Sequence, residues 1–264
     1  MGQYGDVVES GALDGGGVPQ PGAELRFSAA LELDVPPGQS VALLSQPYEV
    51  AVEILDALAG LGRPQQPGRP QPGRRAGGPG DVLVDGVAVD QLRGGELDRY
   101  RAGRGLLSPR FPLLPSRSVL DNVLAALPPG RVDARARERA AELLRLTGAA
   151  GLPAQAPAAT LTAEQQWRVL IARALVPGPR LVLAEDPAAA MADHGEGARA
   201  VTGIWDLLAD MHALLGFTLL VATARTRSAL RCQRIVTLSG WAITDDELTS
   251  GDDPWTRGRI DRIG

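Results

Sequence analysis

Two acids stand side by side at the end of an apolar run in LVLAEDP, Leu181 to Pro187: Glu185 and Asp186. Adjacent carboxylates at a strand end suit a divalent metal, or a general base acting on water. Upstream, VALLSQPYEVAVEILDALAGL (Val41 to Leu61) reads as a buried strand, a turn and an amphipathic helix. A phosphate-binding loop, G-x-x-x-x-G-K-[ST], normally sits in that setting. Its glycines let backbone N–H groups curl around phosphates, its lysine neutralises them, and its hydroxyl ligates Mg²⁺. Laid without gaps on Ser45 to Val52, the pattern meets Ser45 and Val50 where glycines belong, Ala51 for the lysine and Val52 for the hydroxyl. Pro47 removes an N–H donor, and Glu49 adds a carboxylate. A third stretch, Thr162, Ala163, Glu164 and Gln165, spells the capping box T-x-x-Q, with Trp167, Leu170, Ile171, Ala174 and Leu175 forming an apolar face behind it.

Magnitudes bear on whether the turn could still hold an anion. A helix N-terminus offers about 0.3 to 1 kcal/mol. One carboxylate ~4 Å from a phosphate charge costs about 4 kcal/mol at an effective dielectric of 20. The chain has no lysine, so all 27 basic residues are arginine, and arginine does not replace lysine at a tight phosphate site. The formal net charge of −4 and the absence of a basic stripe argue against a nucleic-acid partner. One cysteine, Cys232, excludes a disulfide framework and reads as a small residue before a strand. No apolar run reaches the ~18 to 20 residues that span a bilayer, and the N-terminus lacks the features of a secretory signal. A cytoplasmic chain without direct membrane insertion is expected.

The elements that must position these residues follow from periodicity. Glu24 to Val35 alternates as one half-buried strand would, and SVALLS is apolar throughout, as in a strand covered on both faces. Val50, Ile54, Ala57, Leu58 and Leu61 recur at helical spacing. Arg63 to Gly80, rich in Pro and Gly, reads as a flexible insertion. DVLVDGVAV is a hairpin around Asp85-Gly86, followed by helices over Glu96 to Arg101, Val119 to Leu127, Asp133 to Gly148 and from Thr162. Strands and helices then alternate through RLVLAED, FTLLVATA and RIVTLSG. An α/β fold is expected, with a mostly parallel sheet, an antiparallel portion and an inserted helical lobe over about 94–157. The whole of 1–264 reads as one domain, with a polar tail over 245–264 that carries Trp255.

Three stretches, in this order and at these distances, resemble the ATP-binding subunit of ABC transporters. They are LDVPPGQSVALL with ILDALAGL, then LLPSRSVLDNV (Leu113 to Val123), then LTAEQQWRVLIARALVPGPRLVLAEDP (Leu161 to Pro187), in which IARAL matches outright. The second is similar to the lipoprotein-release and macrolide-export subunits in particular. The resemblance covers roughly Glu24 to Ser239 and implies the P-loop NTPase-like fold. It also implies MgATP as cofactor, held by positions that can be read in turn. The family's Q-loop glutamine falls on Pro109, which has no side-chain amide, and Ser108 and Arg110 beside it are no better. The signature falls on Leu161 to Gln165, where Glu164 would repel a γ-phosphate. The family's Asp-Glu pair is reversed as Glu185 and Asp186, a misplacement of roughly 1.5 Å that can cost ~100-fold. Ala224 stands where the switch histidine is expected. Of the two histidines, His194 sits in the loop that crosses to the partner subunit, beside Asp193, and His212 reads as a surface or interface residue of a helix.

The reading is therefore a degenerate subunit with no catalytic residue, no bound cofactor and no metal expected. Its expected partners are a membrane permease, an ATP-hydrolysing relative or a second copy of itself, which would place it peripherally at the inner face of the cell membrane. The resemblance puts the permease groove at Phe111, Leu113, Leu114 and Val119. One alternative is an ATPase working through an altered site, with an arginine replacing the lysine and Glu185 and Asp186 retained. Another is an interaction module without a transporter.

Overall fold

The computed structural model describes residues 22–27, 33–62, 82–152, 154–188, 191 and 197–249. The expected insertion at 63–80, His194, Asp193 and Trp255 lie outside the described residues. The chain begins with β1 (Leu25–Phe27), β2 (Asp34–Val35), β3 (Ser40–Gln46) and α1 (Tyr48–Leu58). Then come β4 (Val82–Val84), β5 (Val87–Ala88), α2 (Gly94–Ala102), β6 (Gly105–Leu107), α3 (Val119–Leu124), α4 (Ala134–Leu146) and α5 (Ala163–Leu175). It closes with β7 (Leu181–Glu185), α6 (Ala198–Leu215), β8 (Thr218–Thr223), α7 (Thr226–Ala229), β9 (Arg234–Ser239) and β10 (Ala242–Leu248).

Six strands form one sheet in the order β10-β9-β3-β8-β7-β6, all neighbours parallel except β10 with β9. The apolar strand runs are explained by this sheet, since both of its faces are covered. Alternate residues serve opposite cores. Ala42, Val182, Ala184, Leu219 and Val221 face α3, α4, α5 and α6. Val41, Leu43, Leu181, Leu183, Leu220 and Ala222 face α1 and the small antiparallel sheet β2-β1-β4-β5. That small sheet includes the expected hairpin, with Asp85 at φ 51 and Gly86 at φ 76, the left-handed pair a two-residue turn requires.

Three expectations change. Where one strand was expected over Glu24 to Val35, Leu25–Phe27 and Asp34–Val35 are two short antiparallel strands, with Leu25 paired to Val35 and both fully buried. The apolar-polar alternation of the sequence runs from Leu25 to Val35, so it reads as one strand. Asp245 to Leu248 belong to β10 and not to a tail; β9 supplies the pairing, and Arg234 holds Asp246 at 2.5 and 2.6 Å. A strand carrying three consecutive acids has no apolar signature, and its partner alone defines it. Within 94–157, α2 packs against α1 through Tyr100, whose hydroxyl donates to the Leu58 carbonyl at 2.6 Å, while β6 joins the main sheet. The α3 and α4 residues share one continuous core with that sheet through α5.

Candidate functional site

Parallel register brings the strand ends together. Leu107 pairs with Ala184, Glu185 with Ala222, and Leu44 with Thr223. The carboxyl ends of β6, β7, β8 and β3 therefore place Ser108, Glu185, Asp186, Thr223 and Ser45 along one edge, where ligands of open α/β sheets bind.

The turn in front of that edge does not form an open loop. β3 continues through Gln46 and α1 begins at Tyr48, so Pro47 alone links them. The four residues that a phosphate loop would wrap around its ligand are here a strand end, one linking residue and a first helical turn. Ser45 is buried, and its hydroxyl donates to the Pro47 carbonyl at 2.7 Å. Val50 is buried and Val52 half-buried, while Ala51 has no exposed surface and packs in the core under α1. Glu49 is exposed in the first turn.

Glu185 is the centre of the cluster, with its side chain only 5% exposed. Its Oε1 accepts from Ser108 Oγ at 2.5 Å and from Arg110 Nε at 2.6 Å, and its Oε2 accepts from the Tyr48 hydroxyl at 3.3 Å, long for such a bond. Arg110 then turns its two terminal nitrogens onto both Asp56 oxygens, at 2.7 and 3.0 Å, so α1 is tied to β7. The Asp56 hydrogen bonds hold the Arg110 guanidinium above its usual pKa, and Glu185 adds to the effect. Burial, reinforced by the Glu185 charge, pushes the Tyr48 phenol above its ordinary value, so it remains a donor. Asp186 is also buried; its Oδ1 accepts from the Ala188 amide at 2.8 Å and its Oδ2 from Thr223 Oγ1 at 2.7 Å. Chemically, the arrangement neutralises Glu185 and orders both carboxylates. Among the described residues, no group of three or more His, Cys, Asp or Glu is placed to hold a metal.

Pro109 and Ala224 are exposed at the ends of β6 and β8, beside this cluster. Thr162 to Gln165 are not brought into it. They form the expected capping box, with Thr162 N donating to Gln165 Oε1 at 2.9 Å, and Glu164 pairs with Arg168 at 2.7 Å within α5. Of the expected partner groove, Phe111 and Leu114 are 41% and 46% exposed, but Leu113 and Val119 are core residues at 5% and 1%. Helical spacing turns Val119 and Val123 into the core shared with α5, and Leu113, ahead of α3, is buried in the same core. His212, expected as a surface or interface residue, is buried edge-on against Phe217 at 5.4 Å between ring centroids, because α6 turns that face to the sheet. Cys232 precedes β9, as expected; it is fully buried, and burial raises its thiol pKa.

Sequence reasoning passed over Tyr48, Asp56 and Thr223, and weighed Ser108 and Arg110 only as substitutes for a glutamine. The available signal was that a buried Glu185 needs a cation, and that a parallel neighbour of β7 must deliver it. Using that signal requires the strand order.

Comparison with known proteins fixes the class. The chain is 34% identical over 226 residues to the phosphonates import ATP-binding protein PhnC 1 of Pseudomonas aeruginosa, covering 82% of this chain and 76% of that protein. It is 30% identical over 216 residues to the lipoprotein-releasing system ATP-binding protein LolD of Syntrophotalea carbinolica, covering 81% and 87%. The dimeric structure of a bacterial ABC transporter cassette superposes with a TM-score of 0.67 at 23% identity, covering 87% of this chain and 99% of that one, which speaks for the fold. No protein-family profile matches. The chain belongs to the ATP-binding subunits of ABC transporters. Among the described residues, no helix is long and apolar enough to cross a membrane.

Proposed function

We propose that this chain is a degenerate member of that family, a pseudo-ATPase that serves as a structural or regulatory subunit and does not turn over ATP. The observation that carries the reading is the occupation of Glu185 by Ser108, Arg110 and Tyr48, behind a turn reduced to Pro47. The donor set does not fit MgATP. Phosphates would meet Glu49 and no lysine, and a magnesium ion would have to displace Arg110 from Glu185 and Thr223 from Asp186. Arg110 is not a substitute for the missing lysine either, because its Nε and both terminal nitrogens are already on carboxylates.

Its partner would be a membrane permease, an intact relative or a second copy, holding it at the inner face of the membrane. Support comes from relatives such as the macrolide export ATP-binding/permease protein MacB of Rhodopseudomonas palustris, whose own name joins both functions, and from the dimeric state of the superposed cassette. The test is hydrolysis by the purified chain, alone and with Glu185→Gln or Asp186→Asn. Phosphate release at the background rate in all three is expected. MgATP turnover that either substitution abolishes would instead establish an altered but working site. Co-purification with membranes separates a transporter subunit from a module without one.

A further inference from the structure

The short stretch 108–114, which leaves β6, is fastened to four elements. Ser108 is fully buried; its hydroxyl donates to Glu185 and accepts the Arg110 amide at 3.1 Å. Arg110 reaches β7 through Glu185 at 2.6 Å and α1 through Asp56 at 2.7 Å. From α5, Arg173 donates to the Pro112 carbonyl at 3.0 Å and also to the Phe111 carbonyl. That guanidinium is buried enough for desolvation to lower its pKa. From α3, the fully buried Asn122 accepts the Leu114 amide at 2.6 Å and donates to the Leu114 carbonyl at 3.0 Å. Between these anchors stand Phe111 and Leu114, both more than 40% exposed.

We infer that Arg110, Arg173 and Asn122 together lock 108–114 in one conformation, which keeps Phe111 and Leu114 at the surface whether or not a nucleotide is present. Arg110 is then a positioning residue: its ion pairs supply within the chain the charge that orders the stretch. A loop tip with two exposed large apolar side chains ordinarily sits at the low end of local stability. Here charged hydrogen bonds, roughly twice as strong as neutral ones, hold the Arg110 side chain to β7 and α1 and the Phe111 and Pro112 carbonyls to α5. The inference rests on the reading that MgATP does not enter the Glu185 cluster.

Amide hydrogen exchange of the full chain tests it, with peptides covering 108–114 and 48–52, in the wild type, Arg110→Met and Arg173→Met. In the wild type the Phe111 and Leu114 amides should exchange slowly. Arg110→Met should speed Phe111 by about tenfold or more while Leu114, held by Asn122, stays slow. Arg173→Met should act on the same residue. Asp56→Asn removes only the outer pair and should give a smaller increase, which keeps the test open if Arg110→Met misfolds. Exchange unchanged within about twofold in all variants would overturn the inference. So would a change at 108–114 when MgATP is added to the wild type. Protection confined to 48–52 on adding MgATP would overturn the proposed function and leave the lock standing.

Discussion

A carboxylate with 5% of its side chain exposed must be neutralised, and what neutralises Glu185 determines what the site can do. In a metal-binding arrangement two adjacent acids repel each other until the cation arrives, so replacing one with an amide leaves the empty protein as stable or makes it more so. Here Glu185 already holds Arg110, Ser108 and Tyr48. Glu185→Gln should therefore lower stability by about 1.5–3 kcal/mol, the worth of hydrogen bonds to a charged group, and towards the lower figure because Arg110 keeps 40% of its side chain in water. A urea midpoint that falls at unchanged slope would show this. An unchanged or raised midpoint would return Glu185 to the status of a poised ligand. The acids themselves were legible as a pair after an apolar run. Their donors were not, because Ser108 and Thr223 come beside them only through pairings of β6 and β8 with β7.

At the scale of the element, the turn before α1 decides whether phosphate could be cradled. The absence of glycine and lysine was visible in SQPYEVAV, but its consequence for the backbone was not. With no glycine to curl the chain, the strand and the helix both extend until one proline separates them. That phase sets Ala51 into the core, with no exposed surface, beneath the main sheet. Ala51→Lys should accordingly not create a phosphate site. It should cost 3 kcal/mol or roughly that, the order expected when an uncompensated charge is buried, and lower the thermal midpoint markedly. A variant that folds as stably as the parent and gains nucleotide affinity would show that the helix can slip into an open loop. The same dependence on partners explains where element reading failed. Sheets covered on both faces announce themselves by apolar runs, as in β3, β7 and β8. The β1–β2 reversal carries no turn residue pattern, and β10 is strand only because β9 and Arg234 make it one.

At the scale of the described fold, the sheet, its two cores and the stack of α3, α4 and α5 are those of an ABC transporter ATP-binding subunit, and at the carboxyl edge of that sheet Glu185 is held by Ser108, Arg110 and Tyr48. The family was legible through three stretches that resemble its motifs in order and distance, IARAL at Ile171 to Leu175 above all. The contacts of Glu185, on which the proposed loss of activity rests, were not legible in the sequence. Calorimetric titration of the purified chain with MgATP, and separately with ATP in EDTA, tests the central claim most directly. The account predicts no binding heat up to about 1 mM nucleotide in either case, meaning any affinity is weaker than about −4 kcal/mol. A micromolar dissociation constant, about −8 kcal/mol, would contradict it and require Arg110 to leave Glu185 for the phosphates.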